Sequence, residues 1–232
     1  MMKIAIIDSG INPQKFERIH LAKKLYVQNG KIVPDYRLYY PNNHGTVCAS
    51  VIDKYLAHDI SLISINVFNG RRGNINNLIL ALKWCFHNKV KLINLSCGSV
   101  DETDGALLKK VMEHYDYSKG IIVAAQSNAN YRTYPACLSK VLGVACNANC
   151  HGYQYEMKKD IIHNIDIKAS GIHKIFLNNK VHVTTPSNSF ATAFISSVII
   201  NLIMEKQCSL SMDNILKELA QNPYNKEKSD SI

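Results

Sequence analysis

An acid, a histidine and a serine stand at the ends of apolar runs in this chain of 232 residues. Asp8 closes one such run, His44 opens a loop that leads into another, and Ser189 precedes a long one. A serine hydroxyl attacks a carbonyl when a neutral histidine takes its proton, and a buried carboxylate fixes the tautomer of that histidine. The three residue types therefore predict nucleophilic attack on a carbonyl.

Ser189 by itself supports two interpretations. The apolar run 190–204 that follows it predicts a helix buried on most faces. A serine just before a helix is most often an ordinary N-cap. It also lies beside unpaired backbone N–H groups and the positive end of the helix dipole, where negative charge on a reacting atom is stabilised. The other candidate residues must decide between the two.

These side chains need a sheet to bring them together. Short buried runs alternate with helical stretches, as in a parallel sheet, and ligand sites in such sheets lie at the carboxyl ends of strands. Asp8 and Asn128 each follow such a run, and Asn128 offers an amide donor for developing negative charge. We predict strands at 3–7, 60–68, 90–95, 120–125 and 141–145, helices at 74–88, 106–117 and from His44 onward, a hairpin turning at Asn178-Asn179, and an irregular stretch at 12–40.

The composition limits the class of protein. No Pro-, Gly- or Ser-rich linker divides residues 1–222, so we predict one domain followed by a polar, frayed tail at 223–232. We expect neither export nor membrane insertion, because no apolar run suits a signal peptide or spans a bilayer without polar interruption. Seven cysteines, an odd number, favour free thiols in the reducing cytoplasm. The formal charge of +9 is dispersed without interleaved aromatics, which favours a solvated surface over a nucleic-acid interface.

The order and surroundings of these residues resemble the subtilisin-like serine peptidases, or subtilases. Asp8-Ser9-Gly10 is similar to the family's D-S/T-G motif, and His44-Gly45-Thr46 is similar to its H-G-T motif. Residues 124–128, AAQSN, are similar to A-A-A-G-N, whose Asn donates to the oxyanion, and residues 187–193, SNSFATA, are similar to G-T-S-M-A-T-P, which carries the nucleophile. The resemblance implies a three-layer α/β/α fold with a mainly parallel central sheet. It also implies a serine endopeptidase that forms an acyl-enzyme through Asp8, His44 and Ser189, with Asn128 in the oxyanion hole.

The same resemblance assigns one wall of a substrate groove. Residues 93–98, INLSCG, are similar to the family's I-N-M-S-L-G segment, which pairs with the substrate backbone. The implied substrate-binding residues on the two sides of the groove are Ser96, Cys97, Gly98, Ala125 and Gln126.

The resemblance also implies that the loop of Gly70, Arg71 and Arg72 aligns with the edge that binds substrate residues upstream of the cut. Two guanidinium groups there would favour acidic side chains, and two arginines pointing into solvent are the alternative of equal weight. We therefore predict intracellular processing of a peptide, or of a leader or precursor segment, with an acidic segment as one option.

Some motif positions differ from the family. Ser187 and Asn188 stand where the nucleophile motif has Gly and Thr, and Ser127 stands where the oxyanion motif has Gly. Added side chains would crowd the backbone near the scissile bond. The alternative function is therefore a catalytically impaired peptide-binding module. We also expect no pro-domain, because Asp8 lies so near the first residue.

The cysteines suggest two further hypotheses. Cys48 lies one helical turn after His44 and should lie on the same face, an arrangement that resembles the proteinase K branch and predicts sensitivity to mercurials. A zinc site formed by Cys146, Cys150 and His151 with a fourth ligand matches no standard spacing. No metal and no cofactor is expected, since the chain also lacks an acid-rich calcium loop and a nucleotide-binding glycine motif.

Overall fold

The structure, a computed structural model, describes residues 1–70, 72–157, 159–206, 211–222 and 224. In chain order its elements are β1 (Met2–Asp8), β2 (Ile19–Gln28), β3 (Lys31–Pro34), α1 (His44–Tyr55), β4 (Ile60–Asn66), β5 (Phe68–Asn69), β6 (Arg72–Gly73), α2 (Ile75–His87), β7 (Leu92–Leu95), α3 (Glu102–Met112), β8 (Ile121–Ala125), β9 (Leu142–Cys146), β10 (Tyr155–Glu156), β11 (Ile167–Ala169), β12 (Lys174–Leu177), β13 (Lys180–Val183), α4 (Asn188–Lys206) and α5 (Met212–Gln221).

Nine of these strands form one central sheet, in the order β10-β11-β9-β8-β7-β1-β4-β2-β3. The inner pairs are parallel, and only the edge pairs β10 with β11 and β2 with β3 are antiparallel. The predicted mainly parallel sheet is thereby confirmed. The carboxyl ends of β1, β7, β8 and β9 lie along one edge, as parallel pairing requires.

Helices cover both faces of the sheet. Residues of α1, α4 and α5 pack with one set of strand side chains, and residues of α2 and α3 pack with the other set. Strand β1 shows the alternation, because Ile4 and Ile6 belong to the first core whereas Ala5 and Ile7 belong to the second. The three-layer α/β/α fold is therefore confirmed.

Helix α4 runs through the interior with almost no polar face. Among the described helices it is the one whose length and composition would allow it to cross a membrane. Yet 78% of its apolar stretch is buried within the protein. A helix that is apolar on all sides is typical of a protein core. Its burial holds the first turn, which carries Ser189, in a fixed place.

Two parts of the predicted secondary structure are wrong. Residues 12–40 contain β2 and β3, and the pairing of β2 with β4 shifts register between Leu21 and Lys23. Such a bulge breaks the two-residue alternation that marks a strand in a sequence. Helix α3 begins at Glu102 rather than at 106, because the side chain of Asp101 caps it by accepting from the Thr103 and Asp104 N–H groups.

The remaining elements follow the prediction closely, apart from the short strands β5, β6, β10 and β11, which were not predicted, one added helix and one open point. The hairpin of β12 and β13 turns at Asn178 and Asn179, whose φ angles of 50° and 62° fit a tight two-residue turn. Helix α5 was not foreseen. Of the tail predicted at 223–232, all residues except Tyr224 lie outside the described part of the chain.

Candidate active site

Asp8 ends the central strand β1 and is buried at the edge where the candidate residues gather. Its side chain is 3% exposed, and both carboxylate oxygens lie 2.9 Å from Nδ1 of His44. A buried carboxylate without partners would be costly, so His44 stabilises its charge.

His44 begins α1, and its position depends on close packing of the first helical turn against the loop after β1. In the turn before the helix, the side-chain oxygen of Asn42 accepts from the His44 N–H at 3.0 Å, whereas the N-cap residue Asn43 makes no side-chain cap bond. A Cβ atom at Gly45 would lie 2.5 Å from the carbonyl oxygen of Gly10. The glycine after His44 is therefore required by the approach of two backbones.

The contact with Asp8 fixes the state of the imidazole. Nδ1–H donates to the carboxylate, which leaves Nε2 as the basic nitrogen. Burial would lower the pKa of His44, but the contacts of the ring with Cys48 and with the Asp8 carboxylate outweigh it and raise the pKa. Burial raises the pKa of Cys48 in turn, so that thiol is uncharged at neutral pH and Asp8 carries the effect.

Cys48 lies beneath the imidazole, as the helical spacing predicts. Its Sγ is 3.9 Å from His44 Nδ1, 3.9 Å from Asp8 Oδ2 and 3.6 Å from Ser96 Oγ. Among the described residues, Asp8, His44 and Cys48 are the one group of three whose potential metal-ligand atoms lie close together, within 4.8 Å. The alternative zinc cluster around Cys146 and Cys150 does not form such a group there.

Ser189 is the second residue of α4 and lines a cleft of ≈ 460 Å³. The next residue, Phe190, stacks on the His44 ring with 5.6 Å between the ring centroids. The helix start and the histidine thus lie side by side, which brings the three predicted triad residues to one end of the sheet.

Asn128 lines the same cleft and is held by the first turn of α4. Its Oδ1 accepts from the Asn188 N–H at 2.9 Å. Because the oxygen of the amide is used in this way, the NH₂ group lies on the opposite side and is available as a donor. This is the orientation that an oxyanion-binding asparagine needs.

The side chain of Asn188 ties α4 to two strand ends, a role that the sequence analysis missed. Its Oδ1 accepts from the Cys146 N–H at 2.6 Å, and its Nδ2 donates to the carbonyl oxygens of Gln126 and Ser127 at 3.0 and 2.9 Å. Only an amide supplies both an acceptor and two donors at one position. Asn188, which stands where the family motif has Thr, therefore makes a set of hydrogen bonds that a Thr side chain could not make.

Five of the predicted groove residues line the Ser189 cleft, namely Ser96, Cys97, Gly98, Ala125 and Gln126.

Gly70 instead lines a second cavity beyond the hairpin of β5 and β6. Arg71 lies outside the described residues, and Arg72 is described only through its backbone. Cys97 does not form a thiolate, because burial raises its pKa and its Sγ–H points to the Ile7 carbonyl at 3.6 Å.

Asp104 is a cleft residue that no motif indicated. It supplies the sole charged side chain among the described residues that line the Ser189 cleft. Its Oδ2 accepts from the Ser99 hydroxyl at 2.6 Å. A carboxylate in this place would favour a cationic side chain in the bound peptide.

Comparison with known proteins places the chain among proteases. The subtilase family model matches residues 1–228. The minor extracellular protease Epr of Bacillus subtilis is 26% identical over 160 residues, which is 62% of this chain and 23% of that protein. The chain thus spans about a quarter of the length of that curated relative.

Two solved structures share the fold. The epidermin leader peptide processing serine protease of Staphylococcus aureus superimposes with a TM-score of 0.73 at 17% identity, over 95% of this chain and 68% of that one. A lanthipeptide protease superimposes with a TM-score of 0.66 at 17% identity, over 95% of this chain and 80% of that one.

The raised pKa of His44 predicts the pH dependence of peptide-ester hydrolysis. Only neutral His44 accepts the serine proton, so kcat/KM should rise with pH along a limb whose midpoint lies above 6.5, the ordinary value for histidine. Asp8→Asn removes the charge that raises the pKa, so it should lower the midpoint and reduce kcat by about 10⁴-fold. A wild-type midpoint at or below 6.5 would contradict this assignment.

The position of Cys48 predicts inactivation by phenylmercury. Mercury bound to Sγ, 3.9 Å from His44 Nδ1, would displace the imidazole or bind it. We expect loss of activity in the wild type and resistance in Cys48→Ala. Cys85→Ala is the matched control, since Cys85 is a buried thiol in the opposite layer and its removal should leave the sensitivity unchanged. Equal inactivation of Cys48→Ala and the wild type would refute the prediction.

Proposed function

The chain belongs to the subtilase family, and from that premise we propose that it is a serine endopeptidase that processes a peptide, or its leader or precursor segment, inside the cell. The observation that carries the proposal is the contact of His44 Nδ1 with both oxygens of the buried Asp8, at 2.9 Å each. This contact fixes the tautomer that a general base requires.

Acylation begins when Ser189 Oγ attacks the carbonyl carbon of the scissile bond. His44 Nε2 takes the hydroxyl proton, and Asp8 stabilises the imidazolium that forms. The carbonyl oxygen becomes an oxyanion that binds the side-chain NH₂ of Asn128 and the backbone N–H of Ser189. The C–N bond then breaks, and His44 returns its proton to the leaving amine.

Deacylation repeats the sequence with water as the nucleophile. His44 takes a proton from the water as it attacks the ester carbon, and the C–Oγ bond breaks with return of the proton to Ser189. The net change is addition of one water to one peptide bond. No metal or cofactor enters any step.

The similarity to a leader peptide processing protease and to a lanthipeptide protease supports a processing role. The thiols of Cys48, Cys85, Cys97, Cys137 and Cys146 support a reducing location, for which we propose the cytoplasm. A chain that works there would act on a newly made precursor peptide.

Two charged features define the side chains that we propose for the substrate. Arg71 and Arg72 favour acidic residues upstream of the cut, an inference that depends on the sequence alone. Asp104, within the described cleft, favours a basic residue. The proposed substrate therefore carries both an acidic segment and a lysine or arginine near the cut.

Covalent labelling provides the test of the enzymatic proposal. A fluorophosphonate probe should modify folded wild-type protein at Ser189, because the reagent phosphonylates a serine that is activated by a base and loses fluoride. The label should be absent from Ser189→Ala. Ser197→Ala, which alters a buried hydroxyl further along the same helix, is the control and should still be labelled.

Peptide binding by a folded wild type that takes no label would instead support the catalytically impaired peptide-binding module. Mapping of the label by mass spectrometry separates the two outcomes.

A peptide series that varies one upstream residue among Glu, Gln and Lys tests the charge preferences. Arg71→Ala combined with Arg72→Ala should lower cleavage of the Glu peptide relative to the Gln peptide. Asp104→Asn should lower cleavage of the Lys peptide relative to the Gln peptide. Each ratio should change by about 3- to 10-fold, the range for one partly exposed charge pair.

The control for net charge is Lys109→Ala combined with Lys110→Ala, which removes two exposed charges from α3 outside the cleft lining. Unchanged ratios in the arginine variant would disprove the acidic preference. Unchanged ratios in Asp104→Asn would disprove the basic preference.

A further inference from the structure

Ser187 precedes α4, and its hydroxyl caps the helix. Ser187 Oγ accepts a hydrogen bond from the Ser189 N–H at 3.2 Å, the usual contact of an N-cap serine. Ser187 and Ser189 are only 9% and 6% exposed, so water competes little for this bond.

The Ser189 N–H is also the backbone donor nearest to the attacking atom. In the tetrahedral intermediate the negative oxygen is bonded to the carbon that Ser189 Oγ has attacked, so the nucleophile's own N–H is well placed to bind it. The preceding N–H, that of Asn188, is already bonded to Asn128 Oδ1 at 2.9 Å. Both of the first N–H groups of α4 are therefore bonded within the protein before any substrate binds.

We propose that Ser187 is a positioning residue that restrains the oxyanion hole, because its hydroxyl binds the Ser189 N–H and this bond must break or be shared when the oxyanion forms. This inference rests on the proposed function of Ser189 as the nucleophile. The restraint acts mainly on the transition state, since the oxyanion needs the donor more than the ground-state carbonyl does. A neutral hydrogen bond shifts an equilibrium by about 2- to 10-fold, and the acylation rate is lowered by the same factor.

If the Ser187 hydroxyl assisted acylation instead of restraining it, its removal would change the rate in the opposite direction. A hydroxyl can donate as well as accept, so a Ser187 O–H turned toward the oxyanion would be an additional donor. Removal of the hydroxyl would then slow acylation. The sign of the change in rate thus separates restraint from assistance.

The experiment measures the second-order rate constant for fluorophosphonate labelling of Ser189, a reaction that places negative charge on a phosphoryl oxygen in the same hole. Ser187→Gly should be labelled about 2- to 10-fold faster than the wild type. Ser187→Ala also lacks the hydroxyl and should be labelled faster too. It is included because glycine could loosen the helix start. Ser187→Thr keeps a hydroxyl and should stay closer to the wild type than to the glycine variant.

Ser211→Gly is the matched control, because Ser211 caps α5 through the Asn214 N–H and does not line the cleft. It should lower Tm, as the loss of any cap does, without faster labelling. A merely structural role for Ser187 predicts the same result for Ser187→Gly.

Labelling of both hydroxyl-free variants at or below the wild-type rate, with folded protein by circular dichroism, would overturn the inference and leave the proposed function intact. Absence of labelling in the folded wild type would overturn the proposed function and this inference with it.

Discussion

The side chain of Asn188 holds the candidate active site together. Its three hydrogen bonds, all at least partly buried, join the first turn of α4 to the carboxyl ends of β8 and β9, at Gln126, Ser127 and Cys146. Each contributes about 1 kcal/mol net, and loss of the amide would leave buried backbone groups without partners at a cost of about 1–3 kcal/mol each. The backbone N–H of Asn188 then orients Asn128, so one residue positions both the helix of the proposed nucleophile and the proposed oxyanion donor.

The other half of the site is built independently, from the middle of the sheet. Asp8 ends β1, and His44 packs over it at the start of α1. A line of polar contacts connects the halves: Ser196 of α4 donates to Asn94 of β7, whose amide donates to Ser96, which in turn contacts Cys48. The apolar body of α4 fixes this line, because a helix buried on all sides cannot shift without opening the core.

The sequence allowed prediction of the residues that stand at element ends, since strand ends follow from apolar runs and motifs specify residue types. Asp8, His44, Ser189 and Asn128 were predicted in this way, and the structure places them at one edge of the sheet; their catalytic roles stay a prediction. Strand β2 could not be predicted, because its bulge between Leu21 and Lys23 removes the periodic signal.

The hydrogen-bond partners of Ser187 and Asn188 could not be predicted either. Both residues differ from the family motif and suggested crowding near the scissile bond, but their side chains instead bond to backbone groups. Such contacts depend on strands that lie far apart in the chain. Asp104 was missed because its place in the cleft depends on where α3 begins.

In the proposed mechanism, Asn188 acts on catalysis through Asn128. A double-mutant cycle on the acylation rate by a peptide ester, with Asn128→Ala and Asn188→Thr, tests it most directly. Asn128→Ala should slow acylation by about 10²- to 10³-fold, and Asn188→Thr should slow it as well. The double variant should be slower than Asn128→Ala alone by a smaller factor than Asn188→Thr costs in the wild type, because the part of the loss that acts through Asn128 is already gone. Losses that simply multiply in the double variant would show that the two residues act separately and would contradict the account.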